Sequence, residues 1–312
     1  MANIKELSDK IPERLGPGHR LCAGCGASIA VRQILMGTED PVVAVSATGC
    51  LEVGTTIYPF TAWNIPFMHN AFENSASTIS GIETAYRVLK KKGKIKKEIK
   101  FVAFGGDGGT YDIGLQALSG ALERGHNFVY VCYDNEGYMN TGTQRSSATP
   151  YGASTTTAPA GKVIPGKVQF RKDLTAIVAA HRIPYVAQAT ISNWNDLITK
   201  SQKAFAVEGP AFLNVFSPCH RGWHYPQENT VEIAKLAVET GFWPLIEVEN
   251  GIWRFTYKPK QRKPVEEFLK PQGRFKHLFT GQNKPMLAEI QKNIDDNWKR
   301  LEHLCEATCK IA

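Results

Sequence analysis

Two short apolar runs, each stopping at a polar turn, constrain this chain most. Phe101-Val102-Ala103-Phe104 breaks at Gly105-Gly106-Asp107-Gly108-Gly109, and Phe128-Val129-Tyr130-Val131-Cys132-Tyr133 breaks at Asp134-Asn135, with a helical pattern from Asp112 to Arg124 between them. Continuous apolar runs of this kind suit strands buried on both faces, and strands alternating with helices pack as a parallel, doubly wound α/β sheet. Ligands of such sheets bind beyond the carboxyl ends of the strands, where both polar turns fall.

The alternation extends both ways. Gly26 to Met36 reads as a helix, Pro41 to Ala47 as a strand and Asn74 to Lys91 as a helix. Further on, Leu174 to His181 and Asn193 to Val207 read as helices, and Tyr185 to Ala187 and Ala211 to Phe216 as strands. Between Thr141 and Gly166 the chain is rich in Thr, Ser, Ala, Gly and Pro, too long for a bland connector and read as an ordered functional loop. These elements predict one α/β domain over residues 1–227. Residues 228–312 form a C-terminal extension, mainly helical at Glu232 to Thr240 and Met286 to Cys305.

With 312 residues, 43% of them hydrophobic, the chain can fill a sizeable core. It shows neither a signal-peptide h-region nor an apolar run of membrane-spanning length, so a cytoplasmic location without a membrane partner is expected. The formal charge of +8 is concentrated in Lys90, Lys91, Lys92, Lys94, Lys96, Lys97 and Lys100. This run reads as a solvated helix end and loop, with a docking surface for an acidic protein as the sharper reading. It lacks the interleaved aromatics and groove-reading motif of a nucleic-acid site.

A strand ending in Gly106-Asp107-Gly108 brings a carboxylate to the sheet edge, and the glycines let the backbone approach a phosphate. After Gly108, 25 residues intervene before Asp134-Asn135, at the end of the next apolar strand. Two neighbouring strands thus deliver oxygen ligands to one place. Magnesium takes octahedral oxygen coordination from few protein groups plus phosphates, which suits Asp107, Asn135 and the Gly137 carbonyl. The pattern resembles the thiamine diphosphate motif, with Asp134 standing where many members have a first Asn.

Seven cysteines in a reducing compartment point to metal binding or catalysis rather than disulfides. Cys22-Ala23-Gly24-Cys25 has the spacing that gives a zinc or iron–sulfur site two of its four ligands. Cys50 and Cys219 each follow a strand, where parallel sheets present functional turns. Cys132 lies inside an apolar strand and reads as a buried hydrophobe. Cys305 and Cys309, on the terminal helix, read as surface residues. Four cysteines suit zinc or a cluster equally, but a redox cluster beside a thiamine cofactor has a use that zinc lacks.

The chain resembles the β subunit of pyruvate:ferredoxin oxidoreductases, within the 2-oxoacid:ferredoxin oxidoreductase family. The likeness runs through His19 to Gly26, Ala47 to Glu52, His69 to Asn74, Gly105 to Gly114, Tyr133 to Gly142, Arg145 to Pro150, Ala179 to His181 and Ser217 to Cys219. Ala27 stands where some relatives carry a Glu.

The resemblance implies a thiamine diphosphate–magnesium site at Gly106, Asp107, Gly108, Asn135, Gly137, Asn140 and Thr141. It implies a 4Fe-4S cluster on Cys22, Cys25, Cys50 and Cys219, with Asn140 beside the thiazolium and Cys50 bordering the cofactor pocket. It also implies oxidative decarboxylation of a 2-oxoacid, pyruvate first and oxalate or another acid as alternatives, with CoA collecting the acyl group. The partners implied are an α subunit, further γ and δ subunits or a fusion, and ferredoxin, the extension at 228–312 packing on partner chains. A non-redox thiamine enzyme with structural zinc is the rival of a different class. The Glu that hydrogen-bonds the aminopyrimidine is placed by the resemblance on the α subunit. Glu52 and Glu73 read as groups behind the cofactor site or as ordinary ion-pair partners, and His69 and His181 as structural histidines.

Overall fold

Every run predicted as a strand pairs into one sheet in the computed structural model, which describes residues 4–310. The strands are β1 Val42–Ala47, β2 Phe67–Asn70, β3 Lys100–Gly106, β4 Val129–Asp134, β5 Tyr185–Thr190, β6 Ala211–Phe216, β7 Leu245–Glu249 and β8 Ile252–Tyr257. The α-helices are α1 Ile4–Lys10, α2 Gly26–Leu35, α3 Cys50–Thr55, α4 Ser75–Lys91, α5 Leu115–Glu123, α6 Leu174–Ala179, α7 Trp194–Ala206, α8 His220–Trp223, α9 Thr230–Glu239, α10 Glu266–Leu269 and α11 Pro285–Cys309.

Among the described residues the strand order is β2-β1-β3-β4-β6-β5-β7-β8. The first six run parallel, and β7 and β8 add an antiparallel edge. Successive strand residues face opposite sides, so β4 sends Val131 and Tyr133 into one apolar cluster and Tyr130 and Cys132 into the other. Helices cover both clusters, with Val31 and Ile34 of α2 on one side and Leu118 of α5 on the other.

The register matters for function. Gly106 of β3 lies opposite Tyr133 of β4, and Asp134 opposite Phe216 of β6. The parallel strands therefore end level, and the turns after β1, β3, β4 and β6, four neighbours in the sheet, open onto one crevice.

Two differences from the sequence reading stand out. The helix expected from Asp112 begins instead as a π-helix, Gly108–Ile113, with the Gly114 N–H bonded to the Gly109 carbonyl at 2.7 Å. Such wide turns gather at functional sites because they re-aim side chains. Beyond residue 228 the chain is not only helical, since β7 and β8 share the sheet with the preceding strands.

Candidate cofactor and thiol site

Asp107 stands at the exit of β3, fully buried. The Ser146 hydroxyl donates to its Oδ2 at 2.5 Å and the Asn135 N–H to its Oδ1 at 3.2 Å. Among the described residues no Lys, Arg or His pairs with it. Burial pushes its pKa well above the ordinary carboxylate range, and the charge of Asp134 acts in the same direction. A cation is what this environment lacks.

The Asn135 side chain shows where one fits. Its Oδ1 stands 2.9 Å from Asp107 Oδ1 and 3.0 Å from the Gly137 carbonyl oxygen, three acceptors with no proton among them. Adjacent ligands of an octahedral magnesium ion, bonded at about 2.0–2.1 Å, lie about 2.8–3.0 Å apart. The oxygens therefore fit the ion. Rotating the amide by half a turn would instead let its nitrogen donate to both oxygens.

Asn135 and Gly137 border a small cavity of about 20 Å³ with Gly106, Gly108, Cys50, Asn140 and Thr141, and Asp107 lies buried behind its wall. Gly108 has no room for a side chain, since a Cβ would lie 2.5 Å from the Tyr138 ring. Tyr138 closes over the turn, donating from its hydroxyl to the Gly108 carbonyl at 2.9 Å.

Cys22, Cys25, Cys50 and Cys219 line a second cavity of about 130 Å³, and none is in a disulfide. Cys25 caps α2, Cys50 opens α3 and Cys219 caps α8, so three of the four sulfurs sit at helix N-termini. Gly24 makes the Cys22–Cys25 turn with φ of +75°, and a Cβ there would meet the Gln227 carbonyl oxygen at 2.4 Å. Burial, reinforced by the neighbouring thiols, pushes Cys25 up to about 11 and Cys50 up to about 12. Backbone N–H groups of Ala27 and Ser28 pull the other way on Cys25, as those of Gly222 and Arg221 do on Cys219. Metal coordination would hold such thiols deprotonated. Among the described residues no three His, Cys, Asp or Glu side chains converge on a single-ion site.

The two cavities share a wall. Cys50, Asn135 and Asn140 border both. Cys132 is buried within β4, and Cys305 and Cys309 ride on α11, outside either cavity. His181 bonds Ser119 Oγ at 2.8 Å and the Ile177 carbonyl at 3.0 Å, while His69 contacts Glu52 at 3.3 Å. Neither borders the two cavities.

Sequence reading missed the layer that holds the clamp. Glu136, fully buried and left-handed with φ of +63°, pairs with Arg274 at 2.5 Å and Arg171 at 2.9 Å. Arg171 also binds Asp134 at 2.6 Å, and Arg274 stacks over Trp223, whose indole N–H donates to the Asn135 carbonyl at 2.8 Å. The one sequence-level signal is a charged Glu between Asn135 and Gly137, at a turn otherwise committed to short polar residues.

No helix among the described residues is long and apolar enough to cross a membrane. Residues 47–215 match the thiamine pyrophosphate enzyme C-terminal TPP binding domain family. Pyruvate synthase subunit PorB of Thermotoga maritima is 56% identical, over 98% of this chain and 97% of that protein. Ketoisovalerate oxidoreductase subunit VorB of Pyrococcus abyssi is 44% identical, over 97% of this chain and 96% of that protein. The fold is also that of a solved 2-oxoglutarate:ferredoxin oxidoreductase from Magnetococcus marinus, at a TM-score of 0.55 and 20% identity, over 73% of this chain and 80% of that one. The strand-end turns, the clamp between them and these relatives agree: the chain belongs to the PorB family of thiamine-diphosphate-binding subunits of 2-oxoacid:ferredoxin oxidoreductases.

Proposed function

We propose that this subunit carries out oxidative decarboxylation of pyruvate, passing electrons through a 4Fe-4S cluster on Cys22, Cys25, Cys50 and Cys219 toward ferredoxin, with CoA taking the acyl group. The observation that carries the reading is the wall of Cys50, Asn135 and Asn140 shared by the clamp cavity and the thiol cavity. Thiamine diphosphate, when bound, supplies the electron sink that no side chain offers to a decarboxylating 2-oxoacid.

The chain's own residues bind and orient. Asp107, Asn135 and the Gly137 carbonyl hold magnesium and, through it, the diphosphate, with Gly106, Gly108 and Thr141 against the phosphates. Asn140 faces the reacting end, and Cys50 stands between the two cavities. A zinc site of four cysteines is the weaker reading, because a redox cluster beside a thiamine cofactor has a use that zinc lacks. We assign residues 1–227 to cofactor and cluster binding and 228–312 to packing on partner subunits, which supply the remaining active-site groups. Pyruvate is favoured over a branched acid because the PorB relative is 56% identical and the VorB relative 44%.

Turnover of pyruvate, 3-methyl-2-oxobutanoate, 2-oxoglutarate and oxalate by the purified complex, each with and without CoA and with a viologen acceptor, tests the substrate. Pyruvate should be fastest and need CoA; preference for another acid overturns that assignment. Asp107→Ala should strip the complex of thiamine diphosphate, and unchanged thiamine content would sink the metal assignment. Iron and sulfide near four each per chain, lowered by Cys219→Ser, are the expected analysis; zinc instead would reverse the cluster reading.

A further inference from the structure

The turn after β4 supplies the clamp with Asn135 and Gly137, and it also grips the element that carries Cys219. Cys219 caps α8, a helix of four residues, and its sulfur accepts the Gly222 N–H at 3.4 Å. A single helical turn does not hold its own geometry in water. What α8 packs against therefore fixes where this sulfur stands.

Two contacts come from the clamp side. The indole N–H of Trp223, a fully buried residue, donates to the Asn135 carbonyl at 2.8 Å. Met139, which borders the clamp cavity, supplies the other. Its thioether folds back over Gly137 and lies against Gly222. A Cβ at Gly137 would stand 3.0 Å from the Met139 methyl, and one at Gly222 would overlap the Met139 sulfur. Neither glycine has a positive φ, so each supplies room rather than conformational freedom. An unbranched thioether clasped between two glycines thus joins a clamp residue to the helix behind Cys219.

We propose that Met139 is a positioning residue, through which an occupied clamp holds α8 and sets the Cys219 sulfur. A cation bound by Asp107, Asn135 and the Gly137 carbonyl fixes the turn, and with it the thioether on which Gly222 rests. The clamp and the thiol site are then linked, and each strengthens binding at the other by the same factor. This linkage requires the clamp to bind as read above, whichever metal the thiols hold.

The test is made on the assembled complex, cleared of thiol-bound metal with a chelator. Alkylation of Cys219 by iodoacetamide is followed by peptide mass spectrometry, with and without saturating magnesium and thiamine diphosphate. Coupling between sites is typically about 5–150-fold, and the cofactor should slow Cys219 about tenfold. Met139→Ala should remove the difference, and Met139→Leu, close in volume, should keep it. Gly222→Ala, which displaces the sulfur, should remove it too. Combined with Met139→Ala it places a methyl where the sulfur was and should recover part of the effect, a non-additivity that general loosening of the fold does not produce. Cys22, which is not on α8, should keep one rate throughout. Bound thiamine, assayed in each sample, separates failure of the clamp reading from failure of the linkage. A bound cofactor without effect on Cys219, an effect undiminished in Met139→Ala, strictly additive variants, or equal slowing of Cys22 would each overturn the proposal.

Discussion

Ser146 is the residue on which the clamp leans most directly. Its hydroxyl supplies, at 2.5 Å, one of the two hydrogen bonds that the Asp107 carboxylate accepts among the described residues. Ser146→Ala should leave Asp107 harder to ionise and weaken magnesium-dependent thiamine diphosphate binding about tenfold, read as the cofactor concentration that restores half activity, because a hydrogen bond to a charged group contributes about 1.5–3 kcal/mol. Arg274→Ala removes one of two cations from the fully buried Glu136 and should cost about 3 kcal/mol of stability in a denaturant titration. Asp107, Asn135, Cys50 and Cys219 were legible in the sequence because each follows an apolar strand, and Cys22 and Cys25 because of their Cys-x-x-Cys spacing; both are local patterns. Ser146 and Arg274 were not. They lie 39 and 138 residues from the groups they bind, and only the folded sheet edge brings them there.

At the scale of elements, a buried lysine is among the groups that hold the segment from Thr141 to Gly166. Lys167 exchanges backbone hydrogen bonds with Gly152 and Ala153, and its ammonium donates to the Thr149 carbonyl at 2.5 Å. Among the described residues it has no carboxylate partner. Burial, helped by Arg145 and Arg171, lowers its pKa from 10.5 to about 8. The unfolded chain therefore binds more protons than the folded one between these values, and folding becomes more favourable as pH rises through that window. Compared with Lys167→Met, the natural chain should gain stability from pH 8 to pH 10.5, measured by chemical denaturation across that range, and should show no such relative gain below pH 7. The long parallel strands were readable because buried apolar runs are unambiguous. The hairpin of β7 and β8 was overlooked although Asn250-Gly251, with φ of +50° and +85°, is the pairing that tight hairpins require. Its edge strand β8 buries only Trp253 and so lacks the buried apolar run that marks the others.

At the scale of the whole molecule, the proposed site lies open on one side. Asn140 and Thr141 are exposed at the clamp's open side, and Tyr58 and Phe60, 94% and 72% exposed, stand on the loop that follows α3. The separated chain should accordingly bind cofactor weakly and show no pyruvate turnover, with activity returning when partner subunits are added back. Full turnover by the chain alone would contradict a shared active site.

The order in which the sheet is strung has a consequence for how the thiol cavity comes into being. Cys22 and Cys25 precede the first strand, Cys50 follows it, and Cys219 arrives only after β6, which is inserted between β4 and β5. Closing the cavity therefore means joining chain ends separated by nearly two hundred residues, a slow, non-local event. During synthesis three thiols emerge long before the fourth, and nothing can be locked among all four until the central strands have zipped together. Loading of the proposed cluster would thus be a readout of completed folding, and a chain halted before Cys219 should retain no iron.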